Sequence, residues 1–305
     1  MVKYYYRDIK SNKAQELTEF KVGCWVDAQN PTEEELKRLS QELGLEQGYL
    51  RDAVDPYEVP HLETENGAVY IFTRFPHDDG KSISTSPVLV VVAETFIATI
   101  SPKTPFFIER LREKQNYTTT QKVKLLFFII SEINNSYTYY LNQISKQIRR
   151  AEVKLEKIDN RDIMYFVTLE GIVNDFRPSL MHINVVLESL IKGKKLPLYE
   201  DDEDLLEDII LSNKQLVEIA DDNIRTIVNI RNAHNAIMTN NLNRVIKLLT
   251  SLAVILTVPM IMASLYGMNV RLPFGDNPFA FFIVISFSLV LILAIIWVFI
   301  KKDFL

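Results

Sequence analysis

Two long apolar runs near the end of the sequence constrain the fold more than any other feature. Residues 248–266 and 279–300 form runs of 19 and 22 residues without a charged side chain. A helix of about 20 apolar residues crosses a hydrocarbon core of ~30 Å. The sequence therefore predicts two transmembrane helices, over residues 248–266 and 279–300.

The segment between these runs is short, so the two helices must form a hairpin. Residues 267–278 join them, which leaves both chain ends on one side of the membrane. Arg244 and Lys247 precede the first span, and Lys301 and Lys302 follow the second. Basic residues beside membrane spans are enriched on the cytoplasmic side. We therefore predict a protein of the cell (inner or plasma) membrane, with both termini and the basic tail 301–305 in the cytoplasm.

The composition excludes several other classes of protein. A net charge of −5 with no long run of Lys or Arg argues against nucleic acid as a partner. The single cysteine, Cys24, excludes a disulfide framework. Charges are scattered through the first ten residues, which therefore do not form a signal peptide.

The first part of the chain, residues 1–119, is predicted to be a cytoplasmic α/β domain. Aromatic and β-branched residues typical of strands occur over residues 2–7, 20–26, 68–74, 88–93 and 96–100. Helices are predicted after Pro31, over residues 46–53 and after Pro105. Thr32 and Glu35 have the spacing of a capping box at the start of the first helix.

Residues 120–247 are predicted to be a cytoplasmic helical region. Helical periodicity over residues 122–158 and 162–191 indicates an antiparallel pair. No glycine occurs between Gly193 and Gly267. One uninterrupted helix is therefore predicted from residue 204 to residue 266, about 95 Å at 1.5 Å per residue. Its first part is a stalk, and its last part is the first membrane span.

One stripe of this long helix alternates polar and apolar side chains. Steps of three to five residues connect Asn243, Ile246, Leu249, Ala253, Thr257, Met260, Ser264 and Asn269. A single helix encloses no lumen, so a pore requires several copies of the chain around an axis. Apolar rings such as Ile246 and Leu249 are suited to gating, and a ring of Asn269 amides is suited to the outer mouth. Neutral oxygen rings suit hydrated Mg²⁺, which gives up its water reluctantly.

No enzyme site is predicted. Gly80-Lys81-Ser82 resembles the end of a phosphate-binding loop, but Phe75 occupies the position of its first glycine. The four histidines, at positions 61, 77, 182 and 234, do not have metal-ligand spacing.

Two motifs in this order resemble the CorA family of magnesium transporters. Tyr266-Gly267-Met268-Asn269 ends the penultimate span, after Asn243-x-x-Ile-Lys-x-Leu-Thr250 and before a Lys-Lys tail. The run from Asp55 to Glu63 is similar to the family's Asp-Pro-Phe-Glu-x-Pro-Arg-Val-Glu element. The resemblance covers the whole chain, because the α/β domain, helical pair, stalk and hairpin follow in family order.

The resemblance implies a funnel-shaped homopentamer in which the first spans line the pore. The loop 267–278 then carries the Gly267-Met268-Asn269 motif that binds hydrated Mg²⁺ at the outer entrance, and the seven helical positions from Asn243 to Ser264 face the pore. The family has methionine at the positions of Ile246 and Thr257 and threonine at that of Met260. A ring of Arg271 at the mouth would repel cations unless Asp276 pairs with it.

Gating in the family is a negative feedback in which cytoplasmic Mg²⁺ bridges carboxylates of neighbouring protomers. Residues 200–208 contain seven acids in nine positions, which a helix N-terminus and water favour without any ion. We expect the sensor to use one of Asp208, Asp221 and Asp222, together with Glu94 or Asp78 of a neighbouring protomer.

The predicted function is a Mg²⁺ channel or transporter in which Mg²⁺ is both the transported and the regulatory ion, with Co²⁺ or Zn²⁺ as further cargo. Two alternatives remain open at this stage. One is a transporter of zinc, cobalt or cadmium with the same fold, coupled or not coupled to protons. The other is a non-conducting membrane receptor.

Overall fold

The computed structural model describes residues 1–9, 14–113, 117–153, 158–193, 195–270, 278–302 and 304. Two compact units make up the chain, Met1–Ile230 and Arg231–Leu305. The first unit contains an α/β domain and a helical bundle, and the second contains the two apolar helices.

Within the described residues, seven strands form one mixed sheet. They are β1 (Val2–Tyr6), β2 (Gln15–Leu17), β3 (Trp25–Gln29), β4 (Leu62–Glu65), β5 (Ala68–Asp78), β6 (Ile83–Val92) and β7 (Ile97–Ser101). Their order is β2-β1-β3-β7-β6-β5-β4. The β3–β7 pair is parallel, with Trp25 opposite Ile97, and the other neighbours are antiparallel.

Helices cover both faces of this sheet because successive strand residues point to opposite sides. On β6, Val88 and Val90 join the core beneath the helical bundle, whereas Leu89 and Val91 join the core beneath α1 (Glu33–Leu43) and α2 (Gln47–Asp52). Burial on both faces explains why the second half of β6, residues 87–92, is a continuous apolar run.

The first helix begins with the predicted capping box. The Thr32 hydroxyl accepts a hydrogen bond from the Glu35 amide, and the Glu35 carboxylate accepts one from the Thr32 amide. The helix ends at Gly44, whose φ of 67° lies in the left-handed region that favours glycine.

The helices that follow the sheet are α3 (Phe107–Glu113), α4 (Lys122–Glu152), α5 (Asn160–Gly193) and α6 (Glu200–Tyr266). The α4 and α5 helices are antiparallel: the Tyr137 ring lies 5.1 Å from that of Phe176, and the Tyr165 hydroxyl donates to Gln147.

The first part of α6 runs parallel to α4. Asn134 donates to the Ile209 carbonyl at 3.4 Å, and further along both helices Ser145 donates to Asn223 at 2.9 Å. The predicted pair of helices and the long glycine-free helix are thus confirmed.

In the second unit, the end of α6 and α7 (Ala280–Lys301) form an antiparallel hairpin. Both are long and apolar enough to cross a membrane. Ser251 lies 3.5 Å from the carbonyl oxygen of Phe304, and the ammonium of Lys247 lies over the Phe304 ring. Phe304, just after α7, therefore lies beside the start of the first span, as the short connection predicted.

One strand prediction needs correction, and two strands were not predicted. Residues 20–24 of the predicted strand 20–26 lie outside any strand, because Lys21 to Cys24 form a hydrogen-bonded turn in which Gly23 has a φ of 83°. The β2 and β4 strands were missed because they are short, polar edge strands. Their backbones pair with the sheet, but their side chains lack the expected apolar alternation.

Candidate functional site: a helix face that ends at Gly-Met-Asn

The predicted stripe forms one exposed face of α6. All seven helical positions, Asn243, Ile246, Leu249, Ala253, Thr257, Met260 and Ser264, are exposed in the single chain, and so is Asn269. We call these eight residues the pore stripe. Met260, in the middle of the apolar segment, is 68% exposed. A large apolar side chain left this open requires lipid or another protein chain as its environment.

The opposite face of α6 packs against α7. Pro259, Met262 and Tyr266 share a cavity with Ala280 and Val284 at the end of the hairpin where α6 finishes and α7 begins. At about 100° per residue, these α6 positions and Ser251 point about half a turn away from the centre of the pore stripe. Because α7 takes this opposite face, the pore stripe remains open to other copies of the chain.

One polar member of the pore stripe, Thr257, presents an acceptor oxygen. The hydroxyl of Thr257 donates its hydrogen to the Ala253 carbonyl at 2.8 Å. Because that hydrogen is already used, the lone pairs of the oxygen are what the side chain offers outward. An acceptor oxygen in this position suits a cation or its bound water.

Gly267 lies directly after the last helical residue. Its amide donates to the Ala263 carbonyl at 2.9 Å, and the Met268 amide donates to the Leu265 carbonyl at 3.3 Å. A Cβ atom added at Gly267 would lie 3.3 Å from the Ala263 oxygen, which is closer than side chains normally come. Glycine therefore allows this tight helix end, from which Met268 and Asn269 extend with exposed side chains.

The outer loop is only partly described. Residues 267–270 and 278 are described, whereas Arg271, predicted to repel cations at the mouth unless paired with Asp276, lies outside the described residues, as does Asp276.

The sensor candidates on α6 have different surroundings. Asp221 forms an ion pair with Arg177 of α5, with Oδ1 and Nε 2.5 Å apart. Asp222 lines a groove together with Arg149 and Arg225. In contrast, Asp208 is exposed, and no hydrogen bond or ion pair joins it to another described residue. Nearby cations disfavour binding of a further cation, so Asp208 is the most available of the three.

The two candidates in the α/β domain lie at opposite ends of β6. Asp78 pairs in register with Ile83 at the start of that strand, and Glu94 follows its end. Ten residues at ~3.3 Å each separate the two ends by about 30 Å. One ion cannot contact both carboxylates of one protomer, so Asp78 and Glu94 are alternatives.

Each of these two acids also has a local contact. The Asp78 carboxylate accepts a hydrogen bond from the Gly80 amide at 2.8 Å. The Lys122 ammonium donates to the Glu94 carbonyl. Burial lowers the pKa of Lys122, and the charge of Glu94 acts in the opposite direction. Within the described residues, no three His, Cys, Asp or Glu side chains form a cluster that would hold a metal, so the sequence-predicted sensor acids are not brought together in one chain.

The segment from Asp55 to Glu63 is anchored by an arginine that the sequence did not single out. The Arg74 guanidinium donates to the Glu58 carbonyl at 2.6 Å and to Thr85 on β6. The carbonyl of Arg74 in turn accepts from the Tyr137 hydroxyl at 3.1 Å. Arg74 therefore ties this motif to the sheet and to α4.

The sequence Gly80-Lys81-Ser82 connects β5 to β6. Gly80, Lys81 and Ser82 form the turn between two antiparallel strands, and their amides donate to Asp78 and Asp79. A strand–loop–helix arrangement, which such a site needs, does not surround these residues.

An α/β domain, a helical bundle and one long helix that continues into an apolar hairpin define a class of two-span membrane proteins. A family model described as "CorA-like Mg2+ transporter protein" matches residues 20–302. The chain belongs to the CorA family, which is a family of transporters rather than enzymes.

Individual relatives extend over most of the chain. The "Cobalt/magnesium transport protein CorA" of Methanocaldococcus jannaschii is 26% identical over 287 residues, which are 90% of this chain and 89% of the relative. The "Magnesium transport protein CorA" of Helicobacter pylori is 23% identical over 257 residues, 81% of this chain and 79% of the relative.

The fold also matches a solved structure. The complete structure of the CorA magnesium transporter from Methanocaldococcus jannaschii superimposes with a TM-score of 0.88 at 23% identity. The match covers 100% of this chain and 99% of that one. It confirms the predicted fold: an N-terminal α/β domain, a long helix and two C-terminal apolar helices.

Proposed function

We propose that five copies of this chain surround a pore that carries hydrated Mg²⁺ into the cytoplasm, down its electrochemical gradient. The observation that carries this proposal is the pore stripe, an exposed face of α6 that points away from α7 and leads to Gly267-Met268-Asn269. The names of the two relatives support Mg²⁺ as cargo and Co²⁺ as a second ion.

Each part of the proposed pore has its own task. The amide of Asn269, with Gly267 and Met268, forms the outer ring that selects the hydrated ion. The apolar side chains of Ile246 and Leu249 form the constriction, which closes by excluding water. Both termini lie in the cytoplasm, on the side marked by the basic residues that flank the hairpin.

Cytoplasmic Mg²⁺ closes this pore by binding between protomers. Asp208 is the proposed ligand on α6, because Asp221 is paired with Arg177 and Asp222 lies among arginines. The ligand from the neighbouring α/β domain is Asp78 or Glu94. Binding neutralises part of the acidic start of α6, which otherwise repels the same region of its neighbours.

A flux measurement tests the transport proposal. Full-length protein in proteoliposomes that contain a Mg²⁺-sensitive dye should take up Mg²⁺, and external Co²⁺ should compete. Asn269→Ala should abolish uptake, whereas Asn174→Ala, in the cytoplasmic α5 helix, should leave it unchanged. Uptake of Zn²⁺ but not Mg²⁺ would show a zinc transporter, and dependence on an imposed pH gradient would show proton coupling. If none of these ions is taken up, the transport proposal is wrong and the non-conducting receptor is favoured.

A further inference from the structure

A groove between α4 and the first part of α6 contains four cationic side chains among its lining residues. Its larger part has a volume of about 800 Å³ and is lined by Lys146, Arg149 and Arg150, with no acidic residue among the described residues of its lining. Its smaller part, about 290 Å³, shares Arg149 and continues to Arg225 of α6. We call these four residues, with the Asn223 described below, the basic groove.

The cationic residues of α4 follow one another on the same side of the helix. Residues three and four positions apart are neighbours on a helix surface, so Lys146 lies beside both Arg149 and Arg150. No ion pair joins any of the three to a carboxylate among the residues that the structure describes. The C-terminus of α4 favours Arg149 and Arg150 in its last turn. That effect does not account for Arg225, which comes from another helix.

A buried amide at the bottom of the basic groove supplies a second observation. Asn223 is only 6% exposed, and its Oδ1 lies 2.9 Å from the Ser145 hydroxyl, which lies equally close to the Leu141 carbonyl. Its Nδ2 has no hydrogen-bond partner among the described residues. A buried donor without an acceptor is costly, and an oxyanion in the groove would supply that acceptor.

Two acids also line the smaller part, Glu152 and Asp222. Together with the four cations they leave a net charge of +2 on the described lining residues, from four positive and two negative side chains. This balance favours an anion and places its charge near the larger part, whose described lining contains no carboxylate.

We propose that the basic groove binds a small phosphate-bearing anion. Guanidinium groups match the oxygens of a phosphate through paired hydrogen bonds, and Asn223 adds a neutral donor. A volume of about 800 Å³ is in the range of small-molecule sites and exceeds the needs of a single phosphate. Such a ligand would bridge α4 to the helix that continues into the first membrane span.

Equilibrium binding to the full-length protein in detergent, with EDTA present to exclude bound divalent ions, tests this site. Pyrophosphate and ATP are the soluble probes, and phosphatidylglycerol vesicles are the lipid probe. Lys146→Gln and Arg149→Gln should each weaken binding by about tenfold, the effect of losing one charged hydrogen bond. Lys124→Gln, an exposed lysine near the start of the same helix, is the matched control and should bind normally.

The results separate the sources of the phosphate. Groove-dependent binding of pyrophosphate or ATP identifies a soluble ligand, and groove-dependent binding of vesicles alone identifies a lipid headgroup. Asn223→Asp should also weaken binding, because a carboxylate repels the anion. The proposal is wrong if none of the probes binds, or if Lys124→Gln weakens binding as much as Lys146→Gln. This experiment measures ligand binding and the test of the pore measures ion flux, so either proposal can fail without the other.

Discussion

The hydroxyl of Thr99 connects two buried polar groups across the parallel β3–β7 pair. It accepts a hydrogen bond from the indole nitrogen of Trp25 at 2.9 Å and donates one to the carboxylate of Asp27 at 2.9 Å. All three side chains are at most 2% exposed. Thr99→Val keeps the shape of the side chain and removes both hydrogen bonds.

The size of the effect follows from what the substitution leaves behind. The Trp25 nitrogen loses a neutral hydrogen bond, worth about 0.5–1.5 kcal/mol, and Asp27 loses a bond to a charged group, worth about 1.5–3 kcal/mol. Valine fills the same volume, so no cavity term is added. We expect a loss of about 2–4 kcal/mol, which for a unit of this size lowers Tm by roughly 5–15 °C.

A thermal melt of the detergent-solubilised protein, followed by tryptophan fluorescence, measures this loss. Thr99→Ser is the matched control, because it keeps the hydroxyl and removes one methyl group. The serine variant should retain most of the stability that the valine variant loses. Equal apparent Tm values for the two variants would refute the assignment of this energy to the hydroxyl.

The remaining predictions concern the pore, the sensor and the first helix. Leu249→Ala should increase Mg²⁺ flux through a wider constriction, whereas Leu293→Ala, exposed on the far side of α7, should not; equal flux in both would place the constriction elsewhere. Asp208→Ala should raise the Mg²⁺ concentration for half-inhibition by about tenfold, as expected for a lost charged contact. Asp221→Ala should cost at most about 1 kcal/mol of stability, because its ion pair is partly exposed, and should leave inhibition by Mg²⁺ unchanged. If Asp221→Ala weakens inhibition and Asp208→Ala does not, the sensor ligand is Asp221 rather than Asp208. The hydrogen bond from the Thr32 amide is the main cause that lowers the pKa of Glu35. The ionised Glu35 carboxylate therefore stabilises the fold above its unfolded pKa of about 4.3, and this stabilisation is lost as the pH falls through the lower pKa of the folded state. In urea unfolding, the stability advantage over Glu35→Gln should therefore shrink in acid, and an advantage that does not depend on pH would contradict this.

The membrane hairpin and the long helix could be predicted because their signals are local. Two charge-free runs and the absence of glycine between positions 193 and 267 fix α6 and α7 without knowledge of any distant contact. The predicted start at residue 204 is four residues late, since the acids from Glu200 onward favour the first turn of a helix.

Features that depend on distant partners could not be predicted. The pairing of Arg177 with Asp221 joins residues 44 positions apart on different helices, so the sequence left Asp221 as available as Asp208. The same holds for Arg74, which anchors a motif 16 positions earlier in the chain. The basic groove did have a local signal, Lys146, Arg149 and Arg150 on one side of α4. Its second wall, on α6, becomes visible only in the fold.

The parallel pair at the centre of the sheet also determines when the α/β domain can form. Trp25 and Ile97 are adjacent in the sheet but 72 residues apart in sequence, and such pairings are slow because the loop must close first. The β5–β6 hairpin closes over a short turn and needs no distant segment. We therefore expect β5, β6 and β7 to associate early during synthesis, and the edge of β3 that faces β7 to stay unpaired until β7 has emerged.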